Sequence, residues 1–412
     1  MSNNAQNLAL SNNGFSPAAE EKSVIVKLLP IIGVVFIAYL IIGLAMSVLP
    51  LHVHERLGFN TFTVGIVAGS QFMAAVFSRP WAGFYADQNG AKCAVVFGLI
   101  IAVVSGAFYL GSLQFVAVPL TSILILLAGR IALGVAESFI ITGALSWGVA
   151  LAGVENTGKA MSWIGTALYA AYAVGAPAGT WAYTKEGFTA IAWAAVIIPL
   201  LTLLLVAPLR ATTPVSNSSN RPSLMSVIGA VWMPGLGLAI SGVGFGAITT
   251  FIVLLFGQNG WEKAWLALTL LSVAFIVGRI FFGHLPDKNG AKAALICILI
   301  EAAGLALIWF APTAFIALTG VTLVGLGYSL VYPGFGVEAL RRASPDNRGL
   351  AMGAYTAFLD VSLGFASPAL GLAANSLGLN AVFLVSTLVV LSSALIALRL
   401  LTSSDIKTVA QS

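Results

Sequence analysis

The sequence predicts an all-α polytopic membrane protein: twelve transmembrane helices in two six-helix, pseudo-symmetric halves. Three observations predict it. The 412-residue chain is 59% hydrophobic and only 8% charged, whereas soluble domains carry about 25% charge. Apolar runs of the roughly 20 residues needed to cross a hydrocarbon core recur along its length. The hexapeptide DQNGAK at 87–92 returns as DKNGAK at 287–292, each time between two such runs.

Breaks in hydrophobicity place the helices at 28–51, 62–86, 93–113, 117–147, 158–183, 188–209, 225–256, 264–286, 293–311, 314–338, 349–375 and 379–401. The first run is too long for a signal-peptide core and no small-residue cleavage site follows it, so it reads as a retained helix. Residues 1–27 form a polar N-terminal tail, with 1–22 expected to be disordered. The most polar internal break, RATTPVSNSSNRPS, opens the linker 210–224, and its Pro, Ser and Asn content marks solvated chain. The halves are therefore 28–209 and 225–401, with a tail at 402–412. The 43 glycines fit helices that pack closely in lipid. Cys93 and Cys297 lie in apolar runs and read as packing residues, not a disulfide.

The net charge of +5 acts here as a topology signal, not as a nucleic-acid footprint. With the N-terminus inside, fifteen Lys and Arg residues fall in inner segments or at inner helix ends, and only Arg56, Lys185 and Lys263 fall in outer loops. The excess of basic residues on one side puts both termini in the cytoplasm, and an even helix count requires the termini to share a side.

The repeat extends beyond the hexapeptide. Residues 79–92 and 279–292 match at seven of fourteen positions without a gap, and NTGKAM at 156–161 resembles NRGLAM at 347–352 with an offset of 191. Both pairs fall at equivalent places, after the second helix and at the start of the fifth helix of each half. Chance similarity in apolar sequence accounts for one hexapeptide but not for two matches in register with topology. Parallel repeats about an axis along the membrane normal mark one transporter architecture.

Twelve helices, two halves and a paired G-x-x-x-D-x-x-G-x-K loop resemble the major facilitator superfamily over nearly the whole chain. The loop residues are Gly83, Asp87, Gly90 and Lys92, repeated as Gly283, Asp287, Gly290 and Lys292. The family has a basic residue after the aspartate; Lys288 fills that place, but Gln88 occupies it in the first copy. The loops are expected to act as a latch, with Asp87 and Asp287 bonding a neighbouring helix N-terminus or pairing with Arg79 or Arg279. A loop whose charges only fix orientation is the alternative reading.

In the fourth helix, LLAGRIALGVAES resembles the family's motif there, which implies a proton-coupling role for Arg130. A mid-membrane arginine costs roughly 3 kcal/mol on insertion scales, so Arg130 should face the bundle interior. Glu137, where the family has small residues, lies two turns on and shares its face. Two ionisable groups on one inward face mark a functional site, or else a polar pair that locks helices. The second half has Val321 and Tyr328 in their places. In the fifth helix, YAVGAPAGTW resembles the antiporter motif of the superfamily, with Gly175, Pro177 and Gly179 matching and Ala176 interrupting the usual Gly-Pro step. It is a hinge of exporters or an ordinary kink.

Asp360 sits near mid-membrane in the eleventh helix and is the second candidate to bind a proton or hold a cation. Glu301 reads as a packing residue of the ninth helix and Glu338 as a surface ion pair with Arg341 and Arg342. By resemblance, helices one, four, seven and ten build the central cavity with Tyr39, Glu137, Ser138, Phe245, Thr249, Tyr328 and Tyr332, a set that fits an amphipathic or cationic small molecule.

HVHE at 52–55 is a poor metal site without a third ligand and is expected in an exposed outer loop. GVGFG at 242–246 has no strand before it, so it is no nucleotide fold. No H-E-x-x-H or G-x-x-x-x-G-K-[ST] occurs, and no cofactor or metal is expected. An enzyme or receptor would need an added soluble domain or a catalytic constellation, and a channel a continuous polar stripe. The expected function is proton-coupled secondary transport of a small molecule by a bacterial inner-membrane monomer. Efflux antiport, as in permeases described as sugar-efflux-like or multidrug-like, leads; uptake by proton symport is the alternative.

Overall fold

The computed structural model describes residues 17–153, 156–211, 224–343 and 348–409. Twelve long helices fill them: α1 (Pro17–Met46), α2 (Thr61–Asn89), α3 (Ala91–Leu113), α4 (Pro119–Ala152), α5 (Thr157–Glu186) and α6 (Phe188–Val206) in the first half. The second half has α7 (Leu224–Gln258), α8 (Ala264–Phe282), α9 (Gly290–Trp309), α10 (Ala314–Arg342), α11 (Arg348–Leu377) and α12 (Leu379–Val409). Eleven of them are long and apolar enough to span a membrane. The other, α5, has the length but spends it on Gly, Ala and Tyr instead of Leu and Ile.

Two boundaries differ from expectation. α1 begins at Pro17, inside the expected tail, and the chain after it stays helical through Leu49–Leu51 and a π-helical turn at His52–Arg56. HVHE is therefore helical, not a loop: His52 is buried and stacks on Phe188 with ring centroids 4.2 Å apart. At the other end α12 continues to Val409, through much of the expected tail. Most of the linker 210–224 lies outside the described residues.

The packing repeats with the sequence. α3 packs on α4 and α6, α4 on α2, and α1 on α5. Adding six to each number gives α9 on α10 and α12, α10 on α8, and α7 on α11, all of which occur. The halves meet along two seams, α2 with α11 and α5 with α8, which the same rule exchanges. Small residues bring the backbones together there, as expected where lipid offers no hydrophobic drive between helices. A Cβ at Gly65 or Gly69 would overlap the carbonyls of Ser367 or Gly364, and one at Gly371 the carbonyl of Thr61. Large apolar side chains such as Phe77, Trp81, Ile280 and Phe281 point outward, where lipid would cover them.

Candidate functional site

The first seam carries an ion pair between the halves. Arg79 Nη2 of α2 meets Asp360 Oδ2 of α11, with side-chain exposures of 18% and 8%. Of the two partners expected for Asp87, a neighbouring helix N-terminus or Arg79, Arg79 is thus engaged elsewhere. Asp87 and Arg79 lie eight residues apart on one helix, about 12 Å along its axis, and Arg79 belongs to the middle of the bundle, not to its inner edge. The second seam carries a hydrogen bond instead. Pro177 has no N–H, which frees the Ala173 carbonyl one turn back. Thr269 of α8 donates its hydroxyl to that carbonyl at 3.1 Å.

α4 presents Arg130 and Glu137 to α2, on one face as their spacing requires, yet the two do not pair with each other. Arg130 donates to the Val67 carbonyl at 3.2 Å and lies 3.4 Å from the Tyr109 hydroxyl. Glu137 Oε2 accepts from Gln71 Nε2 at 2.6 Å. Gly134 lies between them, and a Cβ there would overlap the Gln71 carbonyl, so this glycine sets the approach of α4 to α2. Glu137 lies within electrostatic reach of Arg79, Arg130 and Asp360, so these four groups form one field across the first seam.

Beside this cluster an aromatic layer crosses between the halves. Tyr39 of α1 approaches Tyr172 of α5 at 6.3 Å, and Tyr172 approaches Tyr169 at 5.8 Å. Tyr169 stacks on Phe275 of α8 at 3.6 Å. Phe245 of α7 stacks on Tyr328 of α10 at 5.4 Å. Tyr332 is half-buried and its hydroxyl bonds Thr356 Oγ1 at 2.9 Å. Of the expected cavity residues, all but Tyr332 are buried in this conformation. Thr249 turns its hydroxyl back to the Phe245 carbonyl at 2.9 Å, and Ser138 is fully buried.

The loop residues divide. Lys92 donates to the Ala207 and Leu209 carbonyls at 2.8 and 2.7 Å and so ties the start of α3 to the end of α6. Gly90 links α2 to α3 at φ +92°, which only glycine adopts without strain. Gly290 packs against the Gly334 carbonyl of α10, as its Cβ would overlap there. Gly83, expected to permit close helix approach, has nothing within 4 Å of where a Cβ would lie. Asp287 and Lys288 are exposed, and Gly283 follows the last turn of α8. Arg279, expected beside Asp287, instead lies over the Phe275 ring at 5.0 Å. In α5, Gly175 and Gly179 sit where any Cβ would meet the α1 backbone at Gly43 and Leu44. The helix runs unbroken through Pro177.

Other acidic groups have local roles. Glu301 of α9 is fully buried and accepts from Ser241 of α7 at 2.6 Å. Glu338 pairs with Arg341 and Arg342 at 3.0 and 2.9 Å, but it is buried, not superficial. Cys297 is buried, whereas Cys93 is exposed on the face of α3. Sequence reasoning missed Gln71, Tyr169, Tyr172 and Phe275. A lone amide in GSQFMAA and two tyrosines one turn apart in ALYAAYAV were the available signals.

The family model described as Major Facilitator Superfamily matches residues 31–337 and 266–412. The chain is 38% identical over 353 residues to an uncharacterized MFS-type transporter of Salmonella typhimurium, covering 85% of this chain and 90% of that protein. It is 39% identical over 353 residues to the uncharacterized MFS-type transporter YhhS of Escherichia coli, covering 85% and 87%. Among solved structures, a D-xylose-proton symporter superposes with a TM-score of 0.73 at 14% identity, covering 90% of this chain and 96% of that one. The human organic anion transporter MFSD10 gives 0.66 at 14% identity, with 90% and 99% covered. Fold, duplicated loops and relatives agree: this chain belongs to the major facilitator superfamily and is a multi-pass membrane transporter by family.

Proposed function

We propose that the chain is a proton-coupled secondary transporter that expels a small molecule across a bacterial inner membrane, with both termini cytoplasmic and the halves 28–209 and 225–401 as the moving units. The observation that carries this reading is the pair of buried carboxylates at the inter-half seam, Glu137 on one half and Asp360 on the other. A charged side chain in a membrane interior marks an ion or proton path by default. The contacts between halves run from Thr61–Gly371 to Arg79–Asp360 on one seam and from Ala173–Thr269 to Gly165–Arg279 on the other. With the expected topology Thr61–Gly371 lies at the outer side, whereas Gly165 and Arg279 lie near the inner ends of α5 and α8, so the seams are closed from the outer side into the inner half.

In this cycle Asp360 releases its proton to the cytoplasm and the carboxylate then engages Arg79, holding the halves together at this seam. Substrate enters from the cytoplasm. After the switch, a proton arriving from outside neutralises Asp360 or Glu137, substrate leaves, and the protonated carrier returns. Uptake by symport is the second reading, favoured by Ala176 in place of the glycine of the antiporter motif.

The test uses everted vesicles with an imposed pH gradient, and substrates chosen from susceptibility and metabolite differences between deletion and overexpression strains. Substrate addition is expected to collapse the gradient in the parent protein. Glu137→Gln and Asp360→Asn are each expected to abolish coupled transport, whereas Glu301→Gln retains it, because Glu301 bonds within one half. Transport against a gradient in both of the first two variants overturns the assignment.

A further inference from the structure

The duplicated arginine is not used twice in the same way. On the first seam Arg79 of α2 has Asp360 of α11 as its counter-ion. The second seam is the symmetry mate of the first, so Arg279 of α8 should meet the residue of α5 that corresponds to Asp360. The 191-residue offset that aligns NTGKAM with NRGLAM carries Asp360 onto Tyr169. A phenol stands where the first seam has a carboxylate.

The surroundings of Arg279 bear this out. Its guanidinium lies over Phe275 at 5.0 Å, and its Nη1 reaches α5, 2.9 Å from where a Cβ on Gly165 would lie. Phe275 in turn stacks on Tyr169 at 3.6 Å and lies 6.1 Å from Tyr328. Among the described residues no ion pair involves Arg279, although it is half-buried within the bundle. Arg279 lies in the last turn of α8, and a guanidinium offers a planar fork that fits a carboxylate with two parallel hydrogen bonds.

We propose that Arg279 is the binding residue for the anionic group of the transported molecule, and that the substrate is a small amphipathic monocarboxylate. One uncompensated positive charge calls for one negative charge. The rings of Tyr169, Phe275 and Tyr328 supply an apolar, π-rich wall for the rest of the molecule, and the phenols supply hydrogen bonds. Gly165 leaves room for the guanidinium to lie against α5. Of the amphipathic or cationic molecule expected from sequence, this assignment keeps the amphipathic alternative, since Asp360 already has Arg79 as its counter-ion. It rests on the proposed transport function, within which it names the substrate class.

The test measures ligand-induced thermal stabilisation of the purified full-length protein in detergent, with no gradient present. The probes are benzoate, 4-hydroxyphenylacetate and hexanoate, each against its matched primary amide and amine. At least one carboxylate is expected to bind about tenfold or more tightly than its amide, the effect of one charge-assisted pair. Arg279→Gln is expected to erase that preference, and Arg279→Lys to keep part of it, since an ammonium holds the charge but not the fork. Tyr169→Asp, which installs the counter-ion of the first seam, is expected to erase it with Arg279 still present. Carboxylates that bind no better than amides and amines, or a preference that survives Arg279→Gln, overturns the proposal. Vesicle transport of a neutral or cationic compound would then leave the transport function standing. A carboxylate preference without any proton movement would leave the anion site standing and remove the coupling.

Discussion

At the scale of the residue, small differences in environment separate acidic groups that look alike in sequence. Glu137, Glu301 and Asp360 are all carboxylates inside apolar helices, yet one accepts from an amide, one from a serine of its own half, and one from an arginine of the other half. Periodicity placed Glu137 and Arg130 on one face and was right about the face. It could not supply the partners, because Gln71, Val67 and Tyr109 come from helices whose approach depends on tertiary packing. Glycines separate the same way. Gly179 is sealed against α1, so Gly179→Val forces α1 and α5 apart and is expected to cost about 1–3 kcal/mol. Gly83→Ala is expected to leave the protein unchanged in this conformation, since no atom lies within 4 Å of the added methyl. Thermal unfolding of the two variants in detergent checks the contrast; equal losses would refute it.

At the scale of the element, the twelve helices were legible because length and hydropathy decide spans, and each expected span overlaps the helix observed. Where sequence failed, at HVHE and at the ends of α1 and α12, polar residues continued a helix that hydropathy had ended. α5 shows how an interruption is used. Pro177 removes one N–H, and Thr269 of the opposite half takes up the carbonyl that is left. Thr269→Val is expected to weaken the α5–α8 seam by about 0.6–1 kcal/mol, the usual worth of such a bond in a membrane bundle. Pro177→Ala restores an N–H for Ala173, so Thr269→Val is expected to cost less in that background. A double-mutant cycle on thermal stability measures the coupling; strictly additive effects would disprove the link.

At the scale of the whole molecule, duplication made the architecture readable. The offsets of 200 and 191 predict which helices exchange under the pseudo-symmetry, and the packing follows. The seams themselves were not legible, because nothing in one half's sequence states which face meets the other half. If the halves rock about the central cluster, the Thr61–Gly371 contact must open in each cycle. Gly371→Val, whose side chain would overlap the Thr61 carbonyl, is expected to keep this contact from closing and to stop transport in vesicles. Undiminished transport by this variant would exclude rocking at this seam.

The composition of α5 also bears on how the protein is made. This helix carries Tyr169 and Tyr172 and two glycines sealed against α1, and it lacks the apolar content by which the other eleven qualify as spans. A segment of that kind gains little from lipid alone and must partition into the bilayer against a helix already there. α1 emerges from the ribosome before α5, so the α1 face that packs on Gly175 and Gly179 is available during synthesis as a docking template for this more polar helix.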